Sequence, residues 1–233
     1  MVLSAHQPAY LPWLGYFDKI TRSQLFLFLD DVQFEKNSYT NRNRIKTPTG
    51  PLWLTVPVHL KDHMSSVIAE LRIDNTQNWR NKHLKSIAQN YRKAPRFEEC
   101  FAKLETLYAP KHERLADLCY DQLKFWLAEL GLQRDVIRMR DLPPIESSKS
   151  QLVLDLFLHF KAKGYLSGAL GRDYLDEASF AERGITIEYQ NFQYPTYPQL
   201  HGDFMPGLSV LDCWMNTTDV SALLDFSRGS HGG

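Results

Sequence analysis

The first 32 residues contain two short apolar segments with an amphipathic helical pattern between them. The segments VLSA at 2–5 and QLFLFLDDV at 24–32 lack the alternation of a half-exposed strand, which is typical of strands buried on both faces of a parallel sheet. The helical pattern begins near Pro12, a residue that suits the first turn of a helix. Because the crossover in such a unit is right-handed, we predict a βαβ unit whose two strands end at the same edge of the sheet.

The remaining pattern places strands toward both ends of the chain and helices in the middle. Three amphipathic helical patterns lie between 77 and 131, and further helices are predicted at 150–164 and 176–184. We predict a single α/β domain at 1–226, with a mostly parallel sheet, flanking helices and a central helical region at about 77–131, followed by a flexible tail at 227–233. Further strands are predicted at 51–58, 67–73, within 132–148, at 165–168 and at 185–190, whereas 33–51 is predicted to be polar and rich in turns.

The charge balance argues against nucleic acid or a membrane as a partner attracted by overall charge. Lys and Arg number 27 and Asp and Glu also number 27, so no global field attracts nucleic acid or a membrane, and an anionic ligand has to be recognised locally. Cys100, Cys119 and Cys213 are too widely spaced for a disulfide framework or a zinc site. Without a signal-peptide pattern or an apolar run long enough to span a membrane, we expect a cytoplasmic protein and leave its oligomeric state open.

The segment HQPAYLPWLGYF at 6–17 follows the first strand and is dense in specialised side chains. We predict that His6 and Gln7 lie at the exit of that strand, where ligands bind in α/β sheets, and that Tyr10 and Trp13 offer flat faces to a polar planar ligand. The alternative is that the aromatic residues only pack the helix onto the sheet, and that His6 is an ordinary hydrogen-bonded residue.

The segment at 30–50 supplies a second group of candidates. Asp30 and Asp31 end the second strand, and adjacent strand residues point to opposite faces, so one of them would face the site as a base or a metal ligand. The segment also holds guanidinium, ammonium and amide donors that suit a phosphate or carboxylate, although an ordinary solvated loop is an open alternative. These donors are Asn41, Arg42, Asn43, Arg44 and Lys46.

A third group of candidates lies at 165–176 and 192–204. Ser167 and Gly168 are small enough to let a ligand approach the backbone closely after a predicted strand. Tyr174, Tyr197 and Gln199 are candidate substrate-binding residues, while the alternative is an irregular surface loop. The chain lacks the GxGxxG, Walker A, HExxH and GxSxG patterns, so we predict no metal site of that type and no serine hydrolase.

Four segments together resemble the WbqC-like protein family across essentially the whole chain. They are HQPAYLPWLGYFDKI, DDVQFEKNSYTNRNRIKTPTGPLWLTVPV, YLSGALGRDYLD and YPTYPQLHGDFMPGLSVLD. The family is associated with bacterial O-antigen and related polysaccharide gene clusters, and a glycine transferase role has been proposed for a member. The resemblance therefore implies an enzyme of surface-polysaccharide or sugar-nucleotide biosynthesis that transfers a small acyl or aminoacyl group, such as glycine, to a sugar.

Under this hypothesis the candidates take separate roles. His6, Asp30, Asp31 and Lys46 are the catalytic candidates, and a nucleotide sugar or another phosphorylated small molecule is the expected substrate. The cofactor is left open. ATP with Mg²⁺ is the pair that activation of glycine would use, because a βαβ unit with a histidine at the exit of its first strand resembles nucleotidyl-transferring and adenylate-forming enzymes of the HxGH type, although the second histidine of that motif is absent. The alternative function is a non-catalytic protein that binds a glycan or a nucleotide sugar. The substrate-binding candidates are Gln7, Tyr10, Trp13, Asn41, Arg42, Asn43, Ser167, Gly168, Tyr174, Tyr197 and Gln199.

Overall fold

The computed structural model describes residues 1–59, 66–220 and 222–224, so the tail predicted at 227–233 lies outside the described residues. The strands are β1 (Val2–His6), β2 (Leu25–Phe28), β3 (Arg42–Thr47), β4 (Gly50–Thr55), β5 (Asp135–Arg138), β6 (Gly164–Ser167) and β7 (Thr186–Tyr189). The helices are α1 (Leu14–Thr21), α2 (Trp79–Tyr91), α3 (Phe97–Tyr108), α4 (Leu115–Glu129), α5 (Lys149–His159), α6 (Glu177–Glu182) and α7 (Val210–Asn216).

Five strands form one sheet in the order β5-β2-β1-β6-β7, and every neighbouring pair is parallel. The chain starts at β1 in the middle, adds β2 and β5 on one side, and then returns to add β6 and β7 on the other. The strand order therefore reverses between β1 and β6. The predicted α/β class, with a mostly parallel sheet flanked by helices, is confirmed.

Both faces of the sheet are covered by apolar layers. On one face, Leu3 and Leu27 belong to a buried cluster that includes residues of α5 and α6. On the other face, Phe26 and Phe28 join a second cluster with α1 and the helices α2 to α4. Every residue of β2 is buried, which explains why this strand reads as a continuous apolar run instead of an alternating one.

A two-stranded antiparallel hairpin, β3–β4, lies outside this sheet and corrects the turn-rich prediction for 33–51. From Arg42 to Ile45, β3 alternates between outward and inward residues, but the first inward residue is Asn43, so a polar side chain hides the apolar pattern. Arg42 and Arg44 occupy the outward side. The strand predicted at 67–73 is also wrong: the structure has a 3₁₀ helix at Ile68–Glu70, flanked by single bridges.

The hairpin fixes the loop that leaves β1, residues 7–13, which we call the β1 exit loop. Leu11 has a φ of 45°, a left-handed conformation that is unfavourable for a leucine. Its N–H donates to Oε1 of Gln122 at 3.2 Å, and its carbonyl accepts from Nδ2 of Asn43 at 2.6 Å. Two buried side chains, one from α4 and one from β3, therefore hold this backbone in place.

We predict that Asn43→Ala lowers the free energy of unfolding by about 1–3 kcal/mol, because the Leu11 carbonyl loses its buried donor. Urea denaturation with an unchanged m value measures the effect. Asn191→Ala is the matched control. Asn191 is exposed, and among the described residues its side chain only accepts a hydrogen bond from Gln193, so a change below about 0.5 kcal/mol is expected. Equal losses in the two variants would contradict this role of Asn43.

Candidate functional site

The strand order reverses between β1 and β6, and in open α/β sheets a reversal of this kind places a crevice at the carboxyl ends of the two strands. Val2 to Ser4 pair in parallel with Gly164 to Leu166, so both strands end at the same edge. In open α/β sheets, ligands bind at this kind of position because the loops of the two strands separate there. We call this edge the switch crevice; the sequence candidates that the structure brings to it are His6, Gln7, Ser167 and Gly168.

Lys19 of α1 lies beneath the switch crevice. Its side chain is almost completely buried, and Nζ donates to the carbonyl of Ala5 at 2.8 Å. A Cβ placed on Gly168 would lie 3.8 Å from Nζ, so the amine is next to the first residue after β6. Within the described residues no carboxylate forms an ion pair with Lys19. Burial lowers the pKa of Lys19 from 10.5 to about 7.

His6 ends β1 in a neutral state. Its Nδ1 lies 2.9 Å from the Gln7 carbonyl, which only accepts, so Nδ1 carries the hydrogen and Nε2 is the acceptor. The rings of Trp13 and Tyr16 pack edge-on against the imidazole, with centroids 5.5 Å and 4.9 Å away. Burial, helped by the charge of Lys19, lowers the pKa of His6 to about 3. The ring is therefore uncharged and weakly basic near neutral pH.

The backbone after β6 turns tightly at the switch crevice. Ser167 Oγ donates to the carbonyl of Gly168 at 3.2 Å, and a 3₁₀ helix follows at Ala169–Asp173. A Cβ on Gly171 would lie 2.1 Å from Ser167 Oγ, so only glycine fits at this position. Tyr174 follows the 3₁₀ helix and is exposed. The turn therefore leaves Gly168 partly exposed while Ser167 is buried.

Asp30 and Asp31 have different environments, as adjacent residues on opposite faces would. Asp30 is completely buried, and its carboxylate accepts from Nε of Arg138 at 2.8 Å and from the N–H of Arg140 at 3.1 Å. Both arginines also contact Asp117. Asp31 is exposed. The carboxylate of Asp30 therefore binds the arginines at and after the end of β5 and does not face the switch crevice as a free base.

Lys46 and the two candidates in 192–204 form a cluster of their own. The ammonium of Lys46 donates to Oε1 of Gln199 at 3.0 Å and to the carbonyls of Gly202 and Asp203 at 3.2 Å and 2.5 Å. Tyr197 donates to Asp212 at 2.9 Å. Burial raises the pKa of Asp212. These contacts tie the segment at 199–203 to the hairpin instead of opening toward the switch crevice.

Three further candidates point into the protein. Asn41 donates to the carbonyl of Val56 at 3.0 Å, and Asn43 holds the Leu11 carbonyl. Tyr10 is wholly buried, with its hydroxyl 2.8 Å from His83 Nδ1 and 2.5 Å from the Tyr108 hydroxyl. By contrast, Trp13 and Arg42 are partly exposed.

Sequence reasoning missed Lys19. The signal that identifies it is its position between Asp18 and Ile20 in a short helix with apolar residues on more than one face. Every residue of α1 is buried, because the loop after β7 covers the side away from the sheet: Gln190 donates to Gly15 and Asp18. A lysine in a helix with no solvent-facing side has to be desolvated.

A broad depression at the opposite end of the sheet is the competing site. It lies at the amino ends of β2 and β5 and includes Arg22 and Lys124. Arg22 pairs with Asp18, and Lys124 pairs with Asp121 at 2.7 Å. Because these cations already have partners and parallel sheets bind ligands at their carboxyl edges, we favour the switch crevice.

Two general features limit the kinds of site that the described residues contain. No three His, Cys, Asp or Glu side chains in these ranges are grouped as the ligands of a metal ion would be. No helix within the described ranges is long and apolar enough to cross a membrane.

Comparison with known proteins gives two matches. The profile of the WbqC-like protein family matches residues 7–222. An uncharacterised protein of Mycobacterium tuberculosis, Rv1507c, is 34% identical over 212 residues, which cover 90% of this chain and 91% of the relative. No solved structure matches the chain significantly.

We predict that Lys19→Met changes how stability depends on pH. Below about pH 7 the Lys19 amine is protonated in both the folded and the unfolded state. Between pH 7 and 10.5 the amine is protonated in the unfolded state but largely neutral in the folded state. The unfolding free energy of the wild type therefore rises with pH across this window. The shift corresponds to roughly 5 kcal/mol over that window, taking about 1.36 kcal/mol per pKa unit.

The measurement is the difference in unfolding free energy between the wild type and Lys19→Met at pH 6, 8 and 9.5. The unfolding free energy of Lys19→Met should exceed that of the wild type by the largest amount at pH 6, and this advantage of the variant should shrink as the pH rises. Lys124→Met, which removes an exposed amine, should show a nearly constant difference. A flat difference for Lys19→Met would show that its amine is not desolvated.

Proposed function

This chain belongs to the WbqC-like protein family, and we propose that it is a cytoplasmic enzyme of bacterial surface-polysaccharide or sugar-nucleotide biosynthesis. It transfers a small acyl or aminoacyl group, such as glycine, to an amino or hydroxyl group of a sugar carried by a nucleotide. The family association with O-antigen gene clusters supports the substrate class.

The buried amine of Lys19 at the switch crevice is the observation that carries the enzymatic proposal. An ammonium without a carboxylate partner in the described residues destabilises a fold, and a lysine desolvated in this way is common in catalytic sites. Its position beside Gly168, at the edge where α/β sheets bind ligands, fits a catalytic role better than a purely structural one.

The proposed reaction uses an acyl phosphate or acyl adenylate as the donor. The neutral amine of Lys19 removes a proton from the acceptor amino or hydroxyl group, whose electron pair then forms a bond to the donor carbonyl carbon. The bond from that carbon to the phosphate oxygen breaks, and the phosphate or adenylate leaves with the electron pair. The protonated Lys19 returns its proton to the leaving group or to solvent.

His6 and Gly168 have supporting roles in this proposal. Nε2 of His6 accepts a hydrogen bond and orients the acceptor group, since an imidazole with a pKa of about 3 is too weak a base to remove the proton. ATP with Mg²⁺ is the proposed source of donor activation, and the Gly168 backbone would face the phosphate of the activated donor.

A non-catalytic protein that binds a glycan or nucleotide sugar is the second candidate. One observation favours it: Gln7, Asp30, Arg42 and Gln199 do not converge in one pocket. Asp30 binds Arg138, Arg42 donates to the Asn37 carbonyl, and Gln199 binds Lys46. Dispersed polar residues are more typical of an extended binding surface than of a closed active site.

The test is a transfer assay on the full chain with nucleotide amino sugars as acceptors, glycine, ATP and Mg²⁺, and with a preformed acyl phosphate in a parallel reaction. Mass spectrometry should detect the acylated sugar. The rate should rise with pH through about 7, because only deprotonated Lys19 accepts a proton. Lys19→Met should reduce the rate by about 100-fold or more, whereas Lys124→Met should leave it unchanged.

Two results would contradict the proposal in different ways. A folded wild-type protein that binds the acceptor but forms no product in either reaction would favour the non-catalytic function. Product formation at the wild-type rate in Lys19→Met would show that the active site lies outside the switch crevice.

A further inference from the structure

The outer face of the β3–β4 hairpin exposes aromatic rings that touch one another. Trp53 and Tyr39 are exposed by 39% and 37%, and their ring centroids lie 5.7 Å apart. Tyr39 in turn lies 5.1 Å from Trp13. Exposed apolar side chains that form a contiguous patch with polar neighbours mark an interaction site more often than singly exposed residues do.

Two arginines of β3 stack against this aromatic row. The guanidinium carbons of Arg42 and Arg44 lie 4.3 Å and 5.5 Å from the centroid of the Trp53 ring. Arg42 donates to the carbonyl of Asn37, and Arg44 donates to that of Gly207. In the described part of the chain, neither arginine forms an ion pair with a carboxylate. The face therefore carries two uncompensated positive charges on a protein of zero net charge.

This face is continuous with the switch crevice. Trp13 belongs to the aromatic row and also packs against His6, with ring centroids 5.5 Å apart. Trp13 forms an antiparallel bridge with Ser209, whose N–H donates to the carbonyl of Arg44 at 3.0 Å. A ligand bound on the hairpin can therefore extend toward His6 without leaving the surface.

We propose that this face, the hairpin platform formed by Trp13, Tyr39, Arg42, Arg44 and Trp53, binds the nucleoside diphosphate part of the substrate. The base stacks on the exposed rings, and the diphosphate meets the guanidinium groups. The attached sugar then reaches His6 and Lys19. The inference rests on the proposed function, since it names the part of the nucleotide sugar that this surface recognises.

The charge of the platform favours a nucleotide over the other ligands of aromatic surfaces. A neutral glycan stacks on aromatic rings but gains little from two unpaired arginines. A membrane or nucleic acid needs a broader basic surface, which a chain with 27 acidic and 27 basic residues does not offer globally. A nucleoside diphosphate combines one planar ring with two or three negative charges, which matches the exposed rings and the two guanidinium groups.

The experiment is a titration of the full chain with UDP, dTDP, GDP and CDP, followed by tryptophan fluorescence and calorimetry. At least one nucleotide should bind the wild type. Trp53→Leu and Arg42→Gln should each weaken that binding about tenfold or more, because each removes one stacking or charged contact. Arg80→Gln is the matched control: Arg80 also stacks on a tryptophan, Trp79, but that ring is buried, so binding should not change.

Lys19→Met separates this inference from the proposed function. It should retain nucleotide binding while losing transfer. Nucleotide binding that both hairpin variants abolish, in a protein without transferase activity, would support the platform and reject the enzymatic function. Nucleotide binding that is equally strong in wild type, Trp53→Leu and Arg42→Gln would overturn the platform. So would the failure of all four nucleotides to bind the folded wild type.

Discussion

β1 pairs in parallel with β2 on one side and with β6 on the other, and this double pairing places the reversal of strand order, where we propose the ligand site, beside β1. Because β1 and β2 are parallel neighbours, the chain has to cross over one face of the sheet through α1 before β2 begins. The loop after β7 then covers α1, and Lys19 is desolvated as a consequence. The burial of the proposed catalytic amine of Lys19 therefore depends more on the topology of the fold than on the local sequence around it.

Strong local patterns predicted most of the sheet and the central helices. The run from Leu25 to Phe28 is apolar at every position, and a strand buried on both faces is the simplest structure that accommodates it. The second strand of the hairpin, β4, overlaps the strand predicted at 51–58. The first, β3, was missed because Asn43 occupies an inward position, where its amide donates to the Leu11 carbonyl instead of an apolar residue filling the core. Ile68–Glu70 was misread as a strand because a short apolar run fits either structure until its neighbours are known.

The candidate site was harder to predict, because a polar side chain does not reveal its partner. Lys46 is a residue type that often binds phosphate, yet its ammonium donates to two backbone carbonyls and to Gln199. Lys19 has no distinguishing motif, and only the burial of the whole helix identifies it. The location of His6 and Gly168 at adjacent strand ends followed from the βαβ pattern, since parallel strands end at the same edge.

The alternation of β3 links the two parts of the proposed site. Asn43 points inward and holds the β1 exit loop through Leu11, while Arg42 and Arg44 point outward and stack on Trp53. A second hydrogen bond connects the β1 exit loop to the platform, since the N–H of Tyr10 donates to the carbonyl of Tyr39 at 3.0 Å. The hairpin platform and the β1 exit loop are therefore connected by one side-chain-to-backbone hydrogen bond and one backbone hydrogen bond. A substrate that spans both meets a preorganised surface, so little of its binding energy is lost in ordering the protein.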